Sequence, residues 1–309
     1  MLTTRGQFTD TYLETMLPAL RAVTMRTFKE HPEQYSQIFN VDDSGRSIEQ
    51  FTEVTGFATL HEINEGEPAP FDQPMQAFNK TYRHRKFGLG YQVTQEAVDD
   101  DKHRIIKGLA EELGISARET VEIEAALIFN RGFSGSYLGP DGVALFSTAH
   151  PNVGGGTQAN KPSVDLDLSQ SAIEAGLTTF RGWTDHRGKK KRIIPTKLVI
   201  PPALEFVASE ILGSSLRSNT ANNAVNPLQH RKGLRSFEDC MVWEYLTDPN
   251  AWFICGEKSR LGLRFFWRKQ FKTMSEYNLR TDAVETIGRM RFSTSWDQWL
   301  GLYGSSGSS

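Results

Sequence analysis

AVDDDKHRIIKGLAEELGISARETVEIEAALIFNRG, residues 97–132, decides how this chain folds. Ile105, Leu109, Leu113, Ala117, Val121, Ala125 and Ile128 recur mostly at four-residue spacing, which puts them on one face of an amphipathic helix. Asp99, Asp100 and Asp101 stand where a helix cap and first turn favour negative charge. At 1.5 Å per residue such a helix runs for about 50 Å, comparable with the diameter of a compact domain. A spar of that length predicts an extended molecule that needs partners to cover it.

Working backwards, two strand-like runs flank a wet loop. Thr52, Val54, Thr55, Phe57, Thr59 and Leu60 favour a strand over residues 51–63, and a second run covers residues 78–93. Between them EGEPAPFDQP (65–74) carries prolines that cannot donate to a ladder and acids that keep it in water. The returning limb holds Lys80, Arg83, Arg85 and Lys86, so a basic limb adjoins an acidic tip. A long hairpin with so little apolar surface is not stable alone, and a neighbouring copy of the chain is the natural support. Before it, residues 1–45 read as an arm with a helical pattern at Tyr12, Met16, Leu20 and Val23.

Working forwards, Gly132, Gly135, Gly139 and Gly142 lead into VALFSTAHP, and GGGTQANKPS (154–163) reads as a flexible loop, with a segment boundary near residue 165. A helix is expected over residues 168–183, capped at Asp167 or Ser169, then the charged turn DHRGKKKR and a strand over 196–200. Pro201 and Pro202 close that strand and open a helix whose apolar face is Leu204, Val207, Ala208, Ile211 and Leu212. Strands over 241–246 and 252–255 flank the turn formers TDPN; further strand-like runs, among them LRFFWRKQF and residues 287–292, continue to Trp299. The terminal GSSGSS reads as a mobile tail. Elements alternate as in an α+β protein, without a regular βαβ repeat.

Composition narrows the function classes. The 309 residues are 38% apolar, enough for a true core, and 35 basic against 37 acidic residues leave a net charge of -2, which does not point to a dedicated nucleic-acid binder. Two cysteines without metal or redox spacing fit a reducing compartment. No signal-peptide pattern and no run approaching about 20 apolar residues occurs, so a soluble, cytoplasmic protein without a membrane partner is expected.

Candidate chemistry is sparse. His150, three residues after Ser147, could serve a hydrolase as general base, but that spacing does not build a triad and no G-x-S-x-G elbow is present. Asp185 and His186 are neighbours on a turn, a poor metal pair. Lys189, Lys190, Lys191 and Arg192 lack interleaved aromatics and read as a solvated tip. Gly88 and Gly90 do not precede a helix as a dinucleotide site requires. Phe265, Phe266, Trp267, Trp296 and Trp299 read as core and interface, and Cys240 and Cys255 as small buried thiols. No catalytic residue, cofactor or metal is assigned.

The order of these elements resembles the major capsid proteins of tailed bacteriophages, especially the Mu-like major head subunit group, which has the Hong Kong 97 fold. The most specific stretches are LFSTAHPN (145–152) and LSQSAIEAGLTTFRGWTDHRGKKKRIIPTKLVIPPALEFVASEILGS (168–214); NTANNAVNPL (219–228), WEYLTDPNAWFICGEK (243–258) and DQWLGLYGSSG (297–307) continue it. The resemblance implies an N-arm over 1–46, an E-loop over 47–95, a peripheral domain with a spine helix over 96–165, an axial domain over 166–257 and a peripheral return with a tail over 258–309. It implies no enzyme but a shell protein: hexamers and pentamers closing into an icosahedral head around double-stranded DNA, assembled in the host bacterial cytoplasm and carried in the virion. Scaffolding, portal and decoration proteins are the implied partners; because the sequence opens on a short arm, scaffolding would come from a separate protein. Each E-loop would lie over an adjacent subunit, with Arg83, Arg85 and Lys86 meeting carboxylates there and Phe57, Leu60 and Phe78 supplying burial. A compartment of the same fold that packages protein cargo, and a hydrolase using Ser147 and His150, are the alternatives.

Overall fold

The computed structural model describes residues 6–94, 96–97, 103–214, 225–230 and 239–307. The arm is a helix, α1 (Gly6–Glu30), and the long helix is α2 (His103–Asn130). The acidic triplet lies outside the described residues. The 28 residues of α2 span about 42 Å at 1.5 Å each. Its buried seam is Ile106, Ala110, Leu113, Ala117, Val121, Ala125 and Ile128, whereas Ile105 and Leu109 are 62% and 39% exposed. With 3.6 residues per turn each four-residue step overshoots by about 40°, so a strict four-spaced row walks off the seam. Ile106 and Ala110 replace the two expected residues at that end. Gly114 sets how close α1 comes: a Cβ there would sit 2.6 Å from the Thr24 carbonyl oxygen.

Helix α2 lies against a sheet of order β1-β10-β11-β4. β1 (Asn40–Asp43) pairs in parallel with β10 (Leu263–Asn278), which forms a long antiparallel hairpin with β11 (Ala283–Trp296); β4 (Arg85–Thr94) is the far edge. Phe265, Trp267, Phe271, Met290 and Phe292 alternate along β10 and β11 as the buried face, and Phe271 stacks on Phe28 of α1 at 4.9 Å.

The run expected as one strand over 78–93 is two. β3 (Gln76–Arg83) pairs with β2 (Ile48–Val54), and β4 begins after His84. The His84 ring turns the corner, with Ser44 Oγ on Nε2 and Ser293 Oγ on Nδ1, each at 3.1 Å. The first limb also stops at Val54 and not at Ile63. Thr55 closes the ladder against Met75, and the returning chain beyond it holds Pro68, Pro70 and Pro74, which have no N–H to offer.

The two-residue strands β5 (His150–Pro151) and β6 (Thr157–Gln158) pair with each other, and a second sheet has the order β12-β9-β7-β8, made of β12 (Leu302–Ser305), β9 (Trp252–Gly256), β7 (Pro195–Ile200) and β8 (Asp239–Val242). The strands on either side of TDPN do not pair with each other: β7 lies between them, parallel to β8 and antiparallel to β9. β8 ends at Val242, and residues 243–246 form a turn instead of continuing the expected strand. Cys240 and Cys255 are therefore separated by β7, and burial pushes the Cys255 thiol up to about 12. Helix α3 (Gln170–Gly182) is capped by Ser169, whose hydroxyl accepts from the Ala172 N–H at 3.2 Å. Helix α4 (Glu205–Gly213) buries Ala208 but leaves Val207 38% exposed, correcting its place on the apolar face. The C-terminal GSSGSS is not all tail. Gly304 and Ser305 end β12, Ser305 Oγ binds both backbone groups of Leu166 at 2.8 Å, and a Cβ at Gly304 would meet Phe253 at 2.7 Å. The two sheets share one core, in which Phe129 of α2 contacts Phe39, Phe146, Trp243 and Phe253.

Candidate inter-subunit surfaces

The β2–β3 hairpin is fixed at its base and open at its tip. At the base Glu53 is buried; Gln298 Nε2 donates to it at 2.5 Å and His186 Nε2 lies 3.1 Å from its carboxylate. The Phe78 ring meets His186 edge-on, with centroids 5.7 Å apart. Further out, Arg187 Nη1 donates to the Asp72 carboxylate at 2.5 Å and Nη2 to the Gln73 carbonyl at 2.6 Å, while Ala58 N–H donates to the same carboxylate. The guanidinium, then the Ala58 N–H, hold the Asp72 carboxyl below its ordinary value. The charged turn thus anchors the hairpin through its first half, while Lys190 and Arg192, in the run expected to be solvated, are exposed; among the described residues no cluster of three His, Cys, Asp or Glu gathers around Asp185 and His186.

Beyond this clasp the loop carries apolar side chains that its own chain does not cover. Phe57 is 60% exposed, Leu60 and Phe71 fully so. Arg83, Arg85 and Lys86 cluster around the β3–β4 corner and are all exposed. Arg85 meets Glu124 of α2 in the same chain; among the described residues Arg83 and Lys86 have no ion pair. Phe78 sits apart from them, half-buried at the hairpin base.

Sequence reading missed two arrangements because each joins distant positions. On α2, Arg118 donates to Glu33 at 2.8 Å and to the Phe28 carbonyl at 3.1 Å. One turn on, fully buried Glu122 accepts from the N–H groups of Gln34 and Tyr35 and from Trp243 Nε1. Burial raises the Glu122 carboxyl, against the pull of those donors. This pair pins the segment leaving α1 to the centre of the long helix.

His150 and Ser147 do not form a nucleophile–base pair. His150 is fully buried, Nδ1 on Asp141 at 2.5 Å and Nε2 on Asn160 Oδ1 at 3.1 Å, with its ring stacked on Trp299 at 4.4 Å. Both nitrogens are taken, and Ser147 Oγ instead accepts from the Ala149 N–H. The ring is a structural bolt between the glycine-rich connection and the C-terminal segment.

The hairpin is clasped to the body near Glu53 and Asp72 and leaves Leu60 and Phe71 uncovered at its tip. The Phage capsid protein family matches residues 79–305, and the chain belongs to that family: it is a structural capsid protein that forms a shell. The capsid of bacteriophage JBD30 decorated with minor capsid protein trimers is 18% identical, with a TM-score of 0.53, covering 70% of this chain and 91% of that one. Mycobacterium phage Adephagia gives 12% identity and a TM-score of 0.55 over 91% of this chain and 92% of that one. A virus-like particle from Pyrococcus furiosus gives 11% and 0.53 over 93% and 98%. Among curated proteins none matches significantly. The expected α+β architecture of the Hong Kong 97 type is thereby borne out.

Proposed function

We propose that this chain assembles as hexamers and pentamers into a closed icosahedral head that encloses double-stranded DNA through non-specific contacts, and that it has no catalytic activity. The observation that carries this reading is the hairpin loop of residues 55–75, whose Leu60 and Phe71 are fully exposed on one chain. Side chains of that size are uncovered at an expense of about 1.5–3 kcal/mol each, which repeated burial against a neighbour recovers at every subunit. Within this reading residues 1–46 form the N-arm, 47–95 the E-loop, 96–165 the peripheral domain with its spine helix, 166–257 the axial domain and 258–309 the peripheral return. Arg83, Arg85 and Lys86 meet carboxylates of an adjacent subunit, and Phe57, Leu60 and Phe78 contribute burial there. Exposed ion pairs contribute about 0–1 kcal/mol each, so strength comes from repetition and area. Scaffolding, portal and decoration proteins are further partners, assembly takes place in the host bacterial cytoplasm, and the virion is the final location.

Negative-stain electron microscopy of the purified chain, with particle mass measured on the same sample, tests the proposal. Shells, tubes, or separate hexamers and pentamers are expected. A uniform monomer or dimer would overturn it.

A further inference from the structure

Between β3, the end of α2 and β11 lies an open cavity of about 360 Å3. Its cations are Lys80, Arg85 and Arg131, and its one carboxylate, Glu124, is already engaged by Arg85. Among the described residues neither Lys80 nor Arg131 has an ion pair. Lys80 is half-buried with its ammonium 4.9 Å from the Trp296 ring centroid, and Arg131 stacks on Tyr137 at 4.5 Å. Burial lowers the Lys80 pKa; the carboxylate that opposes this, Asp141, is committed to His150. Tyr137 and Leu138, 44% and 49% exposed, make an apolar rim. Two aromatic-backed cations inside an apolar rim are a receptor for a carboxylate flanked by apolar side chains.

The chain holds such a group at the opposite end of its own hairpin. Glu62 and Glu65 are exposed and have no ion pair among the described residues, while Glu67 is turned back onto Asn64. The acidic turn is bordered by fully exposed Leu60 and Phe71. Within one chain neither Glu62 nor Glu65 is paired with Lys80, and the β2–β3 ladder and the Arg187–Asp72 clasp fix both ends of the loop. A second copy of the chain supplies the carboxylate and apolar neighbours that complement the cavity.

We propose that the acidic hairpin turn of one subunit seats over the Lys80 and Arg131 cavity of another, with Glu65 meeting the Lys80 ammonium and Leu60 packing on the Tyr137 and Leu138 rim. This rests on the shell-forming function proposed above and names the acceptor for the hairpin tip.

The test treats shells assembled from an equal mixture of isotopically heavy and light chains with a water-soluble carbodiimide, which joins only an amine and a carboxylate in direct contact. A cross-linked peptide containing residues 65 and 80, with mixed isotopes, is the expected product, lost in Glu65→Gln. Shells that yield no such peptide, or only unmixed ones, overturn the proposal. Lys80→Glu or Glu65→Lys alone should lower the assembled fraction by about tenfold or more through like-charge contact, and the double exchange should restore it. Single variants that assemble like wild type, or a double that stays as poor as the singles, also overturn it while leaving the shell reading intact. A wild-type chain that forms no shells overturns the shell reading and this inference with it.

Discussion

Arg187 and Asp72, 115 positions apart, are joined by a 2.5 Å hydrogen bond that ties the hairpin loop to the charged turn. The turn is itself rigid: the Asp185 carboxylate accepts from the N–H groups of Arg187 and Lys189. The direction in which the hairpin leaves the body is thus set by one guanidinium and by the buried Glu53 beside it.

Replacing Arg187 with Gln should speed proteolytic cleavage within residues 55–75 while the global melting temperature stays nearly unchanged, since the loop carries little of the core. The Asp72 carboxyl is depressed in the folded chain, so its contribution is complete above the unfolded value of about 3.9 and is lost as pH falls through the depressed one. Loop cleavage should accordingly be flat across neutral pH in wild type and rise only in acid.

Glu122→Gln should destabilise the chain by about 1–3 kcal/mol in chemical denaturation, because an amide NH2 then faces a donor that the second carboxylate oxygen had accepted. Burial raises this carboxyl, so the folded state holds more protons between the unfolded value of about 4.3 and the raised one. The Glu122 contribution therefore falls as pH rises through that window, and the Gln variant should lack this slope.

At Gly114, substitution by Val should cost about 1–3 kcal/mol by overpacking, since even a Cβ meets the α1 backbone. Thermal melting reads the loss, and faster exchange of α1 amides should accompany it.

His150→Ala should lower stability by about 3–5 kcal/mol by leaving the Asp141 carboxylate buried without its partner. Ser147→Ala should change it by about 1 kcal/mol or less, having lost one hydroxyl acceptor. Equal effects from the two, read by urea titration, would contradict the structural role of the ring.

Reversing charge at Arg83 and Arg85 together should suppress shell formation while circular dichroism still reports a folded chain. Arg83 makes no ion pair among the described residues, and Arg85, whose own side chain is mostly exposed, gives up a single contact to Glu124, too little to unfold the subunit. Normal shells from the double variant would remove these residues from the proposed interface.

Local pattern by itself determined the long helix, the helix that starts near Asp167 or Ser169, the strand ending at Pro201 and the α+β class, because periodicity, caps and prolines act within a few residues of where they are read; the structure chose Ser169 as the cap. The prolines and acids of the tip likewise mark, from sequence alone, a wet loop between the two limbs. Only the tertiary structure decided which strands are neighbours. β7 between β8 and β9, the break at His84 and the return of Gly304 and Ser305 into a sheet all depend on hydrogen bonds between residues far apart in sequence. The same holds for the surfaces: the Arg187–Asp72 clasp, the Glu122 anchor and the Lys80–Arg131 cavity join side chains that no spacing connects. Ile105 and Leu109 show the boundary between the two. Their spacing placed them on a helix, but which side of that helix is buried was settled by where α1 and the sheet came to rest.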